Sequence, residues 1–189
     1  MIVELDISYE SWVKPVQSNF LRIDLTEEEI SLVERTAEKI ATKKREEKGY
    51  LYDNDGLFKR WTTGLGGEVA LGKHLGLKIL DDRVGPSNEF DIGDLKRIGL
   101  DIGVKSVEYG KFPLVHVFPK RCEIILLKHQ SKFRYMLCGL YTPDIMSLYS
   151  SRELVVDDKV RESKTAFYGI PFYKSFKTVE DLNKYCGVV

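Results

Sequence analysis

The segment from residue 78 to residue 141 contains a succession of short apolar runs that are typical of β-strands. These runs are KIL (78–80), EFDIGDL (89–95), LDIGVKSV (100–107), LVHVF (114–118), EIILLK (123–128) and RYMLCGLY (134–141). Short turns such as KRIG and HQSK separate several of them, and this spacing favours a meander of mostly antiparallel strands. We therefore expect the runs at 89–95, 100–107, 114–118 and 123–128 to be neighbours in one sheet.

Two helical patterns precede these runs. The stretch TEEEISLVERTAEKIATKKREEKG begins at Thr26, with Glu29 placed to complete a capping box, and its apolar residues follow helical spacing. The stretch GGEVALGKHLGL (66–77) predicts a second helix, and YLYDNDGLFKRW (50–61) reads as a turn-rich connector. We expect the helix at 26–48 to pack on the sheet. Near the end of the chain, TPDIMSLYSS and TVEDLNKYCG predict two shorter helices.

These patterns predict the fold class. We expect an α/β fold with a mixed, mostly antiparallel central sheet flanked by helices, in a single domain spanning residues 1–189. The helical region should cover about 26–76 and the core sheet about 78–141.

Composition excludes several classes of protein. The chain of 189 residues is 43% hydrophobic and 31% charged, which is typical of a globular domain. No apolar run is long enough to cross a bilayer, the N-terminus lacks a signal-peptide pattern, and three scattered cysteines do not form a CxxC motif. We therefore expect a cytoplasmic protein, in the host cytoplasm if it is phage-encoded, with no membrane partner.

The run LDIGVKS carries the first indication of chemistry. Side chains alternate along a strand, so Asp101, Gly103 and Lys105 share one face and three aliphatic residues share the other. Further acids stand nearby in the sequence, with Glu68 on the second helix and Asp91 in the preceding strand-like run. Carboxylates that meet a lysine can hold Mg²⁺ and orient the water that attacks a phosphodiester.

Each of these residues also has a plain structural interpretation. Glu68 suits the first turn of its helix, and Lys105 suits an exposed strand. Asp91 and Asp94 flank Gly93 and could both be turn residues. If one of the two is a metal ligand, we expect Asp91, because Phe90 and Ile92 frame it as a strand residue.

Together these motifs resemble the PD-(D/E)XK nuclease superfamily, which has the restriction-endonuclease-like fold. The resemblance covers roughly residues 64–127: GLGGEVALGKHLGL is similar to the helix that carries the family's glutamate, EFDIGDL to the strand with the first aspartate, and LDIGVKS to the (D/E)XK strand. It implies that Glu68, Asp91 and Lys105 are catalytic and that the two acids bind Mg²⁺ or Mn²⁺. We add Asp101, on the same strand face as Lys105, as a candidate for a third catalytic and metal-binding acid.

The chain departs from the family pattern at Gly103, where the second acid should stand two residues before the lysine. Three explanations remain open. In the first, Asp101, which lies on the same strand face, replaces the missing acid. In the second, Gly103 is an engineered or acquired change that inactivates the protein. In the third, the protein has kept the fold and lost the catalytic activity. The resemblance thus implies a Mg²⁺-dependent DNA endo- or exonuclease. The alternative is an inactive nuclease-fold protein that binds nucleic acid or a protein partner.

Charge and other motifs are consistent with both functions. Lys and Arg number 29 and so do Asp and Glu, so the chain lacks the basic excess of a protein that only coats nucleic acid. Neutrality leaves room for a nuclease, because acidic ligands offset basic contacts. The sequence contains no HxxxH, GxSxG or GK[ST] motif. We expect DNA as partner, and a homodimer is compatible with the sequence.

Overall fold

The computed structural model describes residues 6–46, 54–80 and 94–186. The helices are α1 (Tyr9–Trp12), α2 (Glu27–Glu46), α3 (Asn54–Leu75), α4 (Pro143–Leu148), α5 (Asp158–Arg161) and α6 (Val179–Cys186), with 3₁₀ turns at Lys14–Asn19, Lys96–Ile98 and Ile170–Phe172. The strands are β1 (Leu21–Asp24), β2 (Ile102–Glu108), β3 (Leu114–His116), β4 (Cys122–Lys128), β5 (Arg134–Tyr141), β6 (Ser150–Ser151) and β7 (Lys164–Phe167).

A four-stranded sheet with the order β1-β5-β4-β2 forms the centre of the fold. The β1–β5 and β5–β4 pairs are antiparallel, and the β4–β2 pair is parallel. The fold is therefore α/β with a mixed, mostly antiparallel sheet flanked by helices, which confirms the expected class. The parallel pairing of β2 with β4 corrects the expectation of a simple meander.

The helix predicted from Thr26 begins as its sequence indicates. The Thr26 backbone N–H donates to Glu29 Oε2 at 2.7 Å, and the Glu29 N–H donates to Thr26 Oγ1 at 3.2 Å. This reciprocal capping box satisfies two of the unpaired N–H groups at the start of α2. Thr178 and Asp181 form a similar pair of bonds at the start of α6.

The second long helix, α3, differs from its prediction in length and in role. It begins at Asn54, so part of the stretch expected to be a turn-rich connector is helical. This helix contacts β2 and the other strands of the central sheet, whereas α2 packs mainly on α3. The tertiary contacts of α3 outweigh the local turn signals of its first residues, because one face of the helix is buried against the sheet.

A second sheet, β3-β7-β6, lies outside the central one. The expected strand at 114–118 is shortened to Leu114–His116 and pairs antiparallel with β7, so it is not a neighbour of β2 or β4. Residues 78–80 form no strand. Of the expected strand at 89–95, residues 89–93 lie outside the described residues, while Asp94 and Leu95 form a turn.

The two faces of the central sheet are buried in different cores. Ile102, Ile124 and Leu126 pack with α2 and α3 on one face. Ile125 and Leu127 pack on the other, with residues of the second sheet. Because strand side chains alternate, Gly103, Lys105 and Glu123 belong to the face that is turned away from the long helices.

Candidate functional site

Strands β2 and β4 bring a glycine, a lysine and a glutamate to one face of the sheet. The parallel register pairs Gly103 with Glu123 and Lys105 with Ile125, and it runs from Ile102 to Glu108 without a shift. Gly103 and Lys105 therefore share a face, as the sequence predicted, and Gly103 does not form a bulge. Glu123 stands beside them at the start of β4.

The Glu123 carboxyl lies against the space where residue 103 would carry a side chain. A Cβ built on Gly103 would be 2.0 Å from Glu123 Oε2, 2.7 Å from Cδ and 2.9 Å from Oε1. Real Cβ atoms do not approach so closely, so the present position of Glu123 depends on glycine at 103. The space above Gly103 is therefore filled by a carboxyl from the neighbouring strand.

Asp94 adds a second carboxyl to this region. It belongs to the turn that precedes the 3₁₀ turn at Lys96–Ile98, and its Oδ2 accepts a hydrogen bond of 2.5 Å from the Val104 N–H. Leu95 N–H donates to Ile102 O at 3.1 Å. These two bonds attach the turn to the outer edge of β2, the edge that pairs with no further strand among the described residues.

Burial and neighbouring cations act in opposite directions on these two carboxyls. Burial raises the pKa of Glu123, and the Lys105 and Arg121 cations lower it in part. Burial likewise raises the pKa of Asp94, although the residue as a whole is exposed, and the Val104 N–H, Lys105 and Arg121 oppose the rise. The pKa of each carboxyl stays above its ordinary value, so each would gain from an added cation.

Arg121 stands between Glu123 and Asp101. Its Nε is 3.6 Å from Glu123 Oε1, and its Nη1 is 4.0 Å from Asp101 Oδ1. Asp101 precedes the first residue of β2, and its side chain is 67% exposed. The predicted replacement acid thus lies near the arginine at the margin of the site, and the acid at the glycine is Glu123.

A third cation near Glu123 belongs to the second sheet. Lys164, the first residue of β7, is close enough to Glu123 to lower its pKa. The region formed by Asp94, Lys105, Arg121, Glu123 and Lys164, which we call the acid–base cluster, therefore joins the two sheets. Cations on β2, on β7 and just before β4 thus lie near the buried carboxyl of Glu123, and the first and third of these also lie near Asp94.

The two remaining predicted site residues, Glu68 and Asp91, are not part of the acid–base cluster as the structure describes it. Glu68 lies on α3, half-buried, next to Gly67, which abuts Ser106 on the opposite face of β2. Asp91 lies outside the described residues, so its position stays a prediction. Glu68 lies on α3, which packs on the face of the sheet opposite Lys105, so the predicted convergence of Glu68 with Lys105 is not observed. Across residues 6–46, 54–80 and 94–186, no three His, Cys, Asp or Glu side chains form a group that could hold a metal ion.

The carboxyls of Asp94 and Glu123 are the groups of the acid–base cluster that could contact a divalent cation. Mg²⁺ commonly takes one or two protein carboxylates and keeps several waters. Glu123 is 8% exposed, and its Oε2 has no hydrogen-bond partner within the described parts of the chain. A buried carboxylate oxygen without a partner is costly, and a coordinated cation would satisfy it.

Sequence reasoning missed Glu123 because it read EIILLK as a core strand. A weak signal existed, since Glu123 is the acid that opens an otherwise apolar run. The decisive information was the parallel register that sets Glu123 beside Gly103, and a pattern along one strand does not specify its neighbour.

Among the described helices, none has both the length and the apolar character needed to cross a membrane. Comparisons with protein-family models, with curated proteins and with solved structures found no match for this chain.

Proposed function

We propose that the chain is a divalent-cation-dependent nuclease that hydrolyses phosphodiester bonds in DNA. The observation that carries the proposal is the arrangement of Lys105 with the two carboxyls of Asp94 and Glu123, whose pKa values burial raises. Perturbed titratable groups that meet around a lysine are typical of sites that move protons. The motifs that resemble the PD-(D/E)XK superfamily support the same reaction.

Each part of the acid–base cluster has a role in this proposal. The carboxyls that face Lys105 would hold Mg²⁺ or Mn²⁺, which lowers the pKa of a coordinated water and offsets charge on the phosphate. Lys105 would orient the attacking water and stabilise its deprotonated form. Arg121 and Lys164 would contact phosphate oxygens, since each is a cation at the edge of the cluster. Asp91 stays a predicted ligand, whereas Glu68 lies on α3, at the other face of β2, and has no role in the acid–base cluster.

A cleavage assay tests this function. Purified protein is incubated with linear duplex, branched and single-stranded DNA in Mg²⁺, in Mn²⁺ and with a chelator. We expect cleavage of at least one DNA form that requires the cation. Cation-dependent DNA binding without cleavage would refute hydrolysis and support the alternative function, a binding protein. Absence of both cleavage and DNA binding would refute the proposal as a whole.

A further inference from the structure

We propose that Cys122 and Cys186 form a redox-active pair, which a low-molecular-weight disulfide such as oxidised glutathione converts into a covalent crosslink between β4 and α6. Cys122 is the first residue of β4, and Cys186 is the last residue of α6. Both thiols are free in the structure, as is that of Cys138. The proposal is independent of the nuclease function, because it depends only on the packing of α6 against the sheet.

The two cysteines of the pair belong to the same core. Cys122 is buried in the core that the two long helices cover, and Cys186 packs against that core. Leu182, one helical turn before Cys186, is fully buried there and anchors α6. Cys138 is buried in the core on the other face of the sheet. The pair is therefore selected by the fold from the three cysteines of the chain.

Lys174 shows that the end of α6 lies close to the start of β4. Its backbone exchanges two hydrogen bonds of 2.9 Å with Leu140 of β5, the strand beside β4. Its Nζ lies 5.3 Å from the ring centroid of Tyr185, which immediately precedes Cys186. Burial and the Cys186 thiol raise the pKa of the Cys122 thiol, whereas the Lys174 ammonium opposes the rise. Lys174 thus lies near both ends of the crosslink, and the two thiols are neighbours.

Exposure gives the two thiols different roles in the exchange reaction. Cys186 is partly exposed, whereas Cys122 is only 8% exposed, so Cys186 meets the oxidant first. Its thiolate attacks one sulfur of oxidised glutathione, which forms a mixed disulfide and releases one glutathione. The Cys122 thiol then loses its proton, and its thiolate attacks Cys186 Sγ and releases the second glutathione. Two protein thiols are oxidised, and one glutathione disulfide is reduced to two thiols.

The crosslink has a structural consequence at the acid–base cluster. Cys122 lies between Arg121 and Glu123, so the crosslink holds α6 against the strand end that carries both residues. It also closes the long loop of chain from β4 to α6, which restricts the unfolded chain more than a short loop would. The oxidised protein is therefore expected to be more stable than the reduced one.

Titration with oxidised glutathione under native conditions tests the proposal. The proteins are the unchanged chain, Cys186→Ser, Cys122→Ala and, as the matched control in the other core, Cys138→Ala. We expect the unchanged chain to lose two of its three thiols, with a Cys122–Cys186 crosslink in unreduced peptide maps. Its melting temperature should rise by at least about 4 °C, and dithiothreitol should reverse the rise. Cys138→Ala should form the same crosslink.

The other variants separate the two steps of the reaction. Cys186→Ser should form no crosslink and show no rise in melting temperature, and Cys122→Ala should stop at one glutathione bound to Cys186. Circular dichroism shows whether each variant is folded, and if Cys122→Ala is not, the peptide map of the unchanged chain decides the question. A stable glutathione adduct of the unchanged chain, a crosslink through Cys138 or between two copies, or no loss of thiols would overturn the proposal. None of these measurements uses DNA cleavage, so the nuclease function fails or stands separately.

Discussion

Gly103 and Glu123 stand side by side on parallel strands, and a Cβ on the glycine would be 2.0 Å from the glutamate Oε2. The two residues are therefore interdependent, since the glutamate keeps its position only while residue 103 has no side chain. A carboxyl carried by β4 thus occupies the space beside the glycine of β2.

Replacement of Lys105 tests the proposed chemistry. We expect Lys105→Ala to lower the rate of DNA cleavage about 100-fold or more, the usual range for a group that positions or transfers a proton. Lys96→Ala removes the same charge from the exposed 3₁₀ turn nearby and is the matched control. Equal rates for the two variants, measured in single-turnover assays, would show that Lys105 acts only as a surface charge.

Asp101 and Glu123 are competing candidates for a cation-binding acid in the proposed nuclease. Asp101 is mostly exposed and 4.0 Å from Arg121 Nη1, so we expect Asp101→Asn to change cleavage less than threefold. Glu123→Gln should lower cleavage at least about tenfold, because it removes a cation-binding carboxylate. The comparison of both variants in Mg²⁺ checks this order. A larger loss in Asp101→Asn would restore Asp101 as the replacement acid.

Stability should depend on pH through Glu123. Burial raises the pKa of this carboxyl in the folded chain, so the folded state holds its proton at pH values where the unfolded state has lost it. Its contribution to the free energy of unfolding therefore falls as pH rises from the ordinary glutamate pKa through the folded one. Glu123→Gln should remove part of this decrease in stability. The remainder is expected from Asp94, because burial raises the pKa of that carboxyl as well.

Urea denaturation at a series of pH values measures this dependence. We expect Glu123→Gln and the unchanged chain to have the same free energy of unfolding in acid, and Glu123→Gln to be the more stable toward neutral pH. Addition of Mn²⁺ should reduce this difference, because the cation stabilises the unchanged chain. If Glu123→Gln is less stable than the unchanged chain at neutral pH without a metal, the carboxylate is stabilising and our description of it is wrong.

The contact between α3 and β2 depends on Gly67. A Cβ at Gly67 would be 1.7 Å from Ser106 Oγ and 2.8 Å from Ser106 Cβ, so rotation of the hydroxyl alone cannot relieve the clash. We expect Gly67→Ala to destabilise the chain by about 1–3 kcal/mol, as measured by denaturant unfolding. A Cβ at Gly64, on the same helix, would meet no atom within 4 Å.

Gly64→Ala is therefore the matched control. It should stabilise the chain by up to about 1 kcal/mol, because alanine favours a helix over glycine. The added substitution Ser106→Gly should recover stability in Gly67→Ala, since it removes both clashing atoms. A Gly67→Ala variant as stable as Gly64→Ala would show that α3 does not approach β2 this closely.

The sequence was most informative where local signals and tertiary contacts agree. The Thr26–Glu29 capping box and the regular alternation around Lys105 follow from short-range rules, and both are present. The start of α3 at Asn54 and the assignment of Leu114–His116 to a second sheet did not follow, because packing and strand pairing decided them. Glu123 was missed for the same reason.

The central claim is that a divalent cation binds between β2 and β4 beside Lys105, and anomalous diffraction from crystals grown with Mn²⁺ tests it most directly. We expect an anomalous peak within coordinating distance of Glu123 Oε2, on the side of Gly103, and no such peak in crystals of Glu123→Gln. A Mn²⁺ peak held by other residues, or no peak at this position in the unchanged chain, would contradict the account.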